Sequence, residues 1–331
     1  MAKKIIPLSV LTGLFLLSLT APAGAAAKQA TEKPRIAILI AQSGPSETQS
    51  IRGLRDGLKE LGYTEGKSAV IETNDLKGDR AALKSAATEL VRKKVDVIFT
   101  TGTRATLAAM AATKEIPIIF RHSADPVALK FVKSMKRPGG NVTGVTALSL
   151  QTTEKRLEIF KEIIPNLQRV LIFYDSNNPF SRENYAFTKK AAAKMRLQVA
   201  EHQVKTPEEL KSALNQLQKM DGDAIFHVSD DLIESQADLV FDMARQKGLP
   251  TMFEGADWAA KGSMLSYGAN YYQMGRQAAA LVDKILKGER PKGLPVEQAQ
   301  KYDLLINLRM ANALGINLTP EMLKKADKVI R

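Results

Sequence analysis

The most restrictive feature of this chain is an alternation that repeats itself. Past Lys33, short β-branched apolar runs alternate with helical patterns. Arg35–Ile40 reads as a strand, and Ser46–Leu61 as a helix with Ile51, Leu54, Leu58 and Leu61 on one face. Strands over Ser68–Glu72, Val95–Thr100 and Ile116–Arg121 then alternate with helices over Arg80–Lys93 and Thr103–Thr113. Continuous runs such as Val97-Ile98-Phe99 suit strands buried on both faces. This βαβα order predicts a parallel sheet with helices on both sides. The second half repeats the first: Arg169–Tyr174 aligns with Arg35–Ile40, and Pro179 with Pro45, both at an offset of 134. Asp223 follows Asp96 by 127 residues and Pro250 follows Pro117 by 133, each at the head of a similar run. Such a period is too long for a solenoid. The expected fold class is therefore α/β, with two similar doubly wound parallel-sheet lobes.

The boundaries follow from the punctuation. Residues 34–124 plus 271–331 are expected to form an N-terminal lobe and 146–254 a C-terminal lobe. Residues 125–145, with Pro138-Gly139-Gly140, and 255–270, with Gly262 and Gly268, are expected to cross between them. Tyr271–Lys287 reads as a helix ended by Gly288, Lys301–Leu308 as a strand, and Met310–Gly315 and Pro320–Val329 as short helices. That tail is too short for a third domain and must complete one of the lobes.

The first residues have another character. Lys3 and Lys4 precede an uncharged apolar run, Ile5–Thr20, and Ala23-Gly24-Ala25 offers small residues for cleavage. Residues 1–25 read as a secretory signal peptide cut near Ala25, the alternative being an uncleaved anchor, for which the run is short. No cysteine occurs in the chain, which excludes a lipid anchor, disulfides and thiolate chemistry. The expected location is periplasmic.

Composition narrows function. The formal net charge of +13 invites nucleic acid or a membrane surface. Basic residues are nevertheless mixed with acids except at Lys130, Lys133, Lys136 and Arg137, and no base-reading motif is present, so no nucleic-acid partner is expected. His122, His202 and His227 lack metal-ligand spacing and read as structural; neither a metal nor a cofactor is expected. Walker A, G-x-G-x-x-G, G-x-S-x-G and H-E-x-x-H patterns are missing, and the chain does not read as an enzyme.

Ligands of open parallel sheets bind beyond the carboxyl ends of the strands. The residues there are Gln42-Ser43-Gly44, Thr100-Thr101-Gly102-Thr103 and His122 to Asp125 in the first half. Their counterparts are Asp175 to Asn178, Ser229-Asp230-Asp231 and Glu254. Thr101, Gly102 and Thr103 open a helix whose free amides suit a carboxylate or phosphate, although Thr also serves there as an ordinary N-cap. Asp230 and Glu254 could hold an ammonium or cap a helix. Tyr174 and Tyr267 could pack an apolar ligand part or belong to the lobe cores. Arg104 reads as solvent-facing.

Several blocks resemble one family in the right order. They are GLKELGYTEGKSAVIE, VDVIFTTGTRATLAA, IPIIFRHSADPVALKFV, RPGGNVTGV, SYGANYYQMGRQAAALVDKILKGERP and DLLINLRMANALGINLTPEML. Together they resemble the ABC transporter substrate-binding protein family, best known for tryptophan/tyrosine-type uptake binders of the periplasmic binding protein type I fold. The resemblance implies a ligand between lobes joined by three crossover segments, the third near residue 300. It places Thr103, Asp125, Asp230 and Tyr267 at positions matching the family's motifs. Arg104 stands where a Pro usually follows the Thr, and Asn270 where Asp is common; loop 41–47 lacks the acidic-histidine pattern of the aromatic branch. The candidate ligand set is Ser43, Thr101, Gly102, Thr103, Asp125, Tyr174, Asn177, Asp230, Glu254, Tyr267 and Asn270. The implied function is an extracytoplasmic, monomeric solute-binding protein that delivers a small zwitterionic or anionic solute, by preference an amino acid, to an ABC permease. A ligand-binding sensor for a chemoreceptor or signalling system is the alternative.

Overall fold

The computed structural model describes Met1 and residues 32–331, apart from Ser123 and Lys219. The expected signal peptide lies outside the described residues. In chain order the first sheet begins with β1 (Arg35–Ile40), β2 (Val70–Asp75), β3 (Val97–Thr101), β4 (Ile118–His122) and β5 (Val142–Thr146). Between them run α1 (Pro45–Glu60), α2 (Arg80–Arg92) and α3 (Gly102–Ala112). After α4 (Ser149–Ile163) the second sheet follows: β6 (Arg169–Asp175), β7 (Gln198–Val204), β8 (Ala224–Phe226), β9 (Thr251–Glu254) and β10 (Leu265–Ala269). Its connections hold α5 (Pro179–Lys194), α6 (Pro207–Gln216), α7 (Asp231–Ser235), α8 (Ala237–Gln246) and α9 (Trp258–Lys261). The chain then forms α10 (Tyr271–Leu286), β11 (Glu297–Gln298), β12 (Tyr302–Asn307), α11 (Leu308–Ala313), α12 (Pro320–Lys324) and β13 (Lys328–Ile330).

Strand order explains where a ligand can sit. The first sheet runs β11-β5-β4-β3-β1-β2 and is parallel throughout. The second runs β13-β12-β10-β9-β8-β6-β7 and is parallel except where β12 pairs with β10. In both sheets the order reverses beside the first strand, between β1 and β3 and between β6 and β8. Neighbouring crossovers diverge there to opposite faces and leave a crevice at the carboxyl ends. Every residue of β3, β4 and β5 is buried, as strands covered on both faces require.

Helix α10 locks onto the first lobe through glycine. A Cβ on Gly53 would lie 1.9 Å from the Tyr272 carbonyl oxygen, and one on Gly275 2.0 Å from that of Ser50. The two helices thus approach backbone to backbone, with Leu54, Leu58, Met274 and Ala278 buried in one core. This contact sets Tyr271, the first residue of α10, at the cleft.

Two expected boundaries need correction. Residues 125–145 are not simply a connection, because β5 is a fully buried strand paired with β4; Gly144 admits Phe120, whose carbonyl would lie 2.2 Å from a Cβ there. Nor does 271–331 as a whole complete the first lobe. β12 and β13 extend the second sheet, where Leu304 and Ile306 pack with Leu265 and cover the edge that β10 would otherwise leave open. Pro320–Val329 is likewise a short helix, α12, followed by β13.

The chain passes between the sheets at 147–148, at 270 and at 299–301. These passages are tied to one another: Tyr302 donates to the Ala147 carbonyl at 2.8 Å, and the Asn270 amide donates to Lys301 at 2.9 Å. Leu148, which precedes α4, is left-handed with φ of 47°. Pro34–Arg331 forms one compact unit. Among the described residues no helix is long and apolar enough to cross a membrane.

Candidate functional site

A cleft of about 710 Å³ lies where the carboxyl ends of the two sheets face each other. On the first lobe, β3 runs straight into α3 through Gly102, whose φ of +73° suits a residue without a Cβ. Thr101 occupies the N-cap position but its hydroxyl makes no capping bond, and that buried oxygen has no partner among the described residues. The first amides of α3 are therefore not claimed by the cap side chain. Thr103 is 2.7 Å from His122 Nε2, while the Ala124 amide donates to His122 Nδ1 at 2.7 Å. That second bond fixes the proton on Nε2, so His122 donates to the Thr103 oxygen and leaves the Thr103 hydrogen for the cleft. Burial, with Arg121 beside it, pulls His122 down to about 3, so the ring is neutral at physiological pH.

A chain of charges crosses from one lobe to the other. Arg121, nearly buried at 4 % exposure, donates to Glu47 at 2.7 Å, and its guanidinium lies 4.7 Å from the centre of the Tyr271 ring. Tyr271 donates in turn to Glu254 at 3.3 Å, a bond between α10 and β9. Burial pushes the Glu254 carboxyl up, against the pull of Arg156. Two more contacts span the cleft: Arg104 meets Asp231 at 3.5 Å, and the His122 and Phe180 rings meet edge to face at 6.2 Å.

The second lobe presents acids. Asp230 caps α7, accepting from Ile233 at 3.0 Å and from the Asp175 amide at 2.7 Å. Glu234, one turn on, lines the cleft half-buried. Burial pushes its carboxyl well above the ordinary range, reinforced by Glu254, Asp231, Glu47 and Asp230. The fully buried His227 stands beside it, with Nε2 at 3.9 Å. Burial also holds His227 neutral.

The cleft brings together Gly102, Thr103, Asn177 and Asp230 from the candidate set. Thr101 is buried beneath it, and Ser43 lines an adjoining chamber. The structure places the other five elsewhere. Asp125 is exposed and caps a turn, accepting from Val127 at 2.8 Å. Tyr174 stacks on Tyr185 at 4.7 Å and donates to Glu201, on the helix-covered face of its strand. Tyr267 packs in the second core against Tyr302. Asn270 is consumed as the N-cap of α10, accepting from Gln273 and donating to Asp303. Glu254 is buried behind Tyr271. The reason is common to the tyrosines: both lie within strands, whose side chains turn to the sheet faces rather than past the ends.

Sequence reasoning missed Glu47, Arg121, Phe180, Glu234 and Tyr271, set aside His122 as structural, and read Arg104 as solvent-facing. A signal for Arg121 existed: it is the one charge inside the apolar run IPIIFRH. Glu234 gave a fainter one, an acid three residues after Asp231 in a helix that follows a strand end.

Residues 35–330 match the family model described as ABC transporter substrate binding protein. The chain is 28% identical over 273 residues to a tyrosine-binding protein of Clostridioides difficile, covering 82% of this chain and 78% of that one. A solved Streptococcus pneumoniae ABC domain in complex with L-Trp superposes with a TM-score of 0.83 at 27% identity, over 90% of this chain and 100% of that one. A ligand-free, open substrate-binding protein with adhesive properties from Clostridium difficile gives 0.72 at 26% identity, over 90% and 99%.

Proposed function

The chain belongs to the ABC transporter substrate-binding protein family, and from that premise we propose that its solute is an amino acid held as a zwitterion between the lobes. Its architecture is the type I periplasmic binding protein fold. Proteins of this family bind a solute rather than transform it, and those of ABC importers work outside the cytoplasm.

One observation carries the proposal: the two walls of the cleft have complementary chemistry. The open amides of α3 and the Thr103 hydroxyl suit a carboxylate. Asp230 and Glu234 opposite suit an ammonium, which would restore the ionised form that burial disfavours. The tyrosine and L-Trp of the relatives carry the same two groups. A ligand touching both walls favours the closed arrangement only by binding it better than the open one. Arg104, Asp231 and Phe180 then cover the mouth. Delivery to an ABC permease completes the role. The cleft is complete within one chain, which supports a monomer as the working unit.

Thermal shift against a panel of L-amino acids, sugars and dicarboxylates tests the reading. A true ligand at 100 times its Kd adds about 2.7 kcal/mol of stability. An amino acid should raise the melting temperature; a shift with another solute class alone would sink the proposal. Export is tested separately: the intact mass of protein recovered from the periplasm should lack residues 1–25.

A further inference from the structure

The basic run from Lys130 to Arg137 has no part in the cleft chemistry, and folding places a second basic stretch beside it. Residues 130–140 hold four bases and no acid, and residues 283–293 hold four bases against Asp283 and Glu289. The two stretches are fastened together on the flank of the first lobe that carries β5 and β11. The Val296 amide donates to the Met135 carbonyl at 2.8 Å, and Thr143 on β5 donates to the Leu294 carbonyl at 2.9 Å. The first stretch is also braced within itself. The Lys133 amide donates to the Pro138 carbonyl at 3.0 Å, and the Ser134 hydroxyl both accepts from the Arg137 amide and donates to the Arg137 carbonyl.

Three of the eight bases stand apart. Lys284 and Lys287 sit at the carboxyl end of α10, where the helix dipole favours a cation, and Lys287 pairs with Asp283 at 2.8 Å. Lys130 follows Leu129, which lines the cleft. Five remain: Lys133, Lys136, Arg137, Arg290 and Lys292. All five are exposed, none lies in an α-helix, and among the described residues none is held in an ion pair. Elsewhere on the surface bases stand beside acids, as Arg92 does with Glu89, Lys194 with Glu154 and Arg276 with Glu60. Lys114 and Glu115, tied to the same flank by the bond from the Asn141 side chain to the Ile116 carbonyl at 2.8 Å, cancel each other. Like charges held together on two braced loops repel one another, and an anionic partner relieves that repulsion.

The character of the flank selects the partner. None of the five bases lines the cleft or the chamber beside it, so they do not converge on a small anion in either. Phe131, the one aromatic ring in the two stretches, is buried in the core, which leaves nothing for a nucleobase to stack on. Leu61, Val70, Leu107 and Met220, large apolar side chains that do stand exposed, lie in other stretches, and protein interfaces are built around anchors of that kind. Cationic heads on flexible stems, without a pocket or an apolar anchor, match a plane of phosphates.

We propose that this flank rests on an anionic phospholipid surface and holds the binding protein at the membrane where an ABC permease resides. Proteins of this family that serve importers work outside the cytoplasm, where such a surface is available to them. The inference is independent of which solute the cleft takes.

Co-sedimentation of protein recovered from the periplasm with lipid vesicles provides the test. Phosphatidylcholine vesicles containing about one-third phosphatidylglycerol should retain the protein, and pure phosphatidylcholine vesicles should not. Raising the salt from about 0.05 M to about 0.5 M should release it. K133Q/K136Q/R137Q/R290Q/K292Q should weaken vesicle binding at least about a hundredfold, at roughly fivefold per base, with the melting temperature unchanged. K59Q/K84Q/K190Q/K211Q/K324Q removes the same charge from other exposed positions and should weaken it less than about tenfold. Equal losses in the two variants assign the effect to net charge and overturn the flank as the contact. Equal retention by both kinds of vesicle, or by neither, overturns the lipid partner, and retention on immobilised polyglutamate without vesicle binding transfers the flank to an acidic protein. The lipid and salt comparisons use the unmodified protein and do not depend on either variant folding.

Discussion

The two lobes share one strand order, β2-β1-β3-β4-β5 in the first sheet and β7-β6-β8-β9-β10 in the second, and finish those strands with opposite chemistry. At the end of β3 the first lobe offers open helix amides and a hydroxyl oriented by a neutral His122. At the end of β8 the second lobe offers Asp230 and Glu234. The scaffold is duplicated and the site is not. Because a helix follows each of these strands, both ends have amides to spare; the second lobe spends a side-chain carboxylate on its own, through the Asp230 cap, while the Thr101 hydroxyl leaves those of α3 open. Opposite polarity on like frames orients an asymmetric ligand.

Breaking the buried pair that supports the donor wall should have the largest effect. Arg121→Met leaves Glu47 without its cation and should cost about 3–5 kcal/mol in chemical denaturation, with Arg121→Met/Glu47→Gln recovering much of it. Thr103→Val removes the acceptor of the buried His122 proton; a loss of about 1–3 kcal/mol is expected, together with weaker binding of a carboxylate-bearing ligand by titration. Glu234→Gln should separate binding from stability. It weakens ligand affinity about tenfold, yet raises the ligand-free melting temperature by about 2 °C because one repelled charge is gone.

The pH dependence of that variant sharpens the contrast. Glu234 is raised in the folded state, so the stability it contributes is full below the unfolded carboxyl range, near pH 4, and is lost as pH rises through its folded value. Melting curves of E234Q and the parent should coincide near pH 4 and diverge toward pH 8, with the variant higher. The smallest effect is expected at the rim. Arg104→Ala breaks a half-exposed pair worth about 0.2–1 kcal/mol, and should be seen mainly as a faster ligand off-rate.

The lobes stand close together, joined by Arg104–Asp231, Tyr271–Glu254 and His122–Phe180. Tyr271→Phe tests the contribution of the middle contact: it should favour the open arrangement, detectable as a larger radius of gyration in small-angle scattering of the ligand-free protein.

Much of the architecture was legible because it rests on period. Runs such as Val97-Ile98-Phe99 and their repeat near Ile225 announce buried parallel strands wherever they occur. The sheet to which a strand belongs is not a property of its own residues, and β12 was assigned to the wrong lobe for that reason. The site divided the same way. Gly102, Thr103, Asn177 and Asp230 reach the cleft by a local rule, the position after a strand. Arg121 and Glu47 are 74 residues apart, and the bond that makes them part of the site exists only once β4 and the start of α1 lie side by side. Tyr271 depends on the glycine contact between α1 and α10, which sequence pattern alone does not pair.

That glycine contact also has a bearing on timing. The first lobe buries Leu54 and Leu58 against Met274 and Ala278, residues made some 220 positions later. The second lobe in turn awaits β12 and β13. Neither half can close its core while the chain is still being synthesised, so the polypeptide remains loosely structured until nearly its whole length is available. A chain built in this order is one that can be threaded through a translocation channel before it folds.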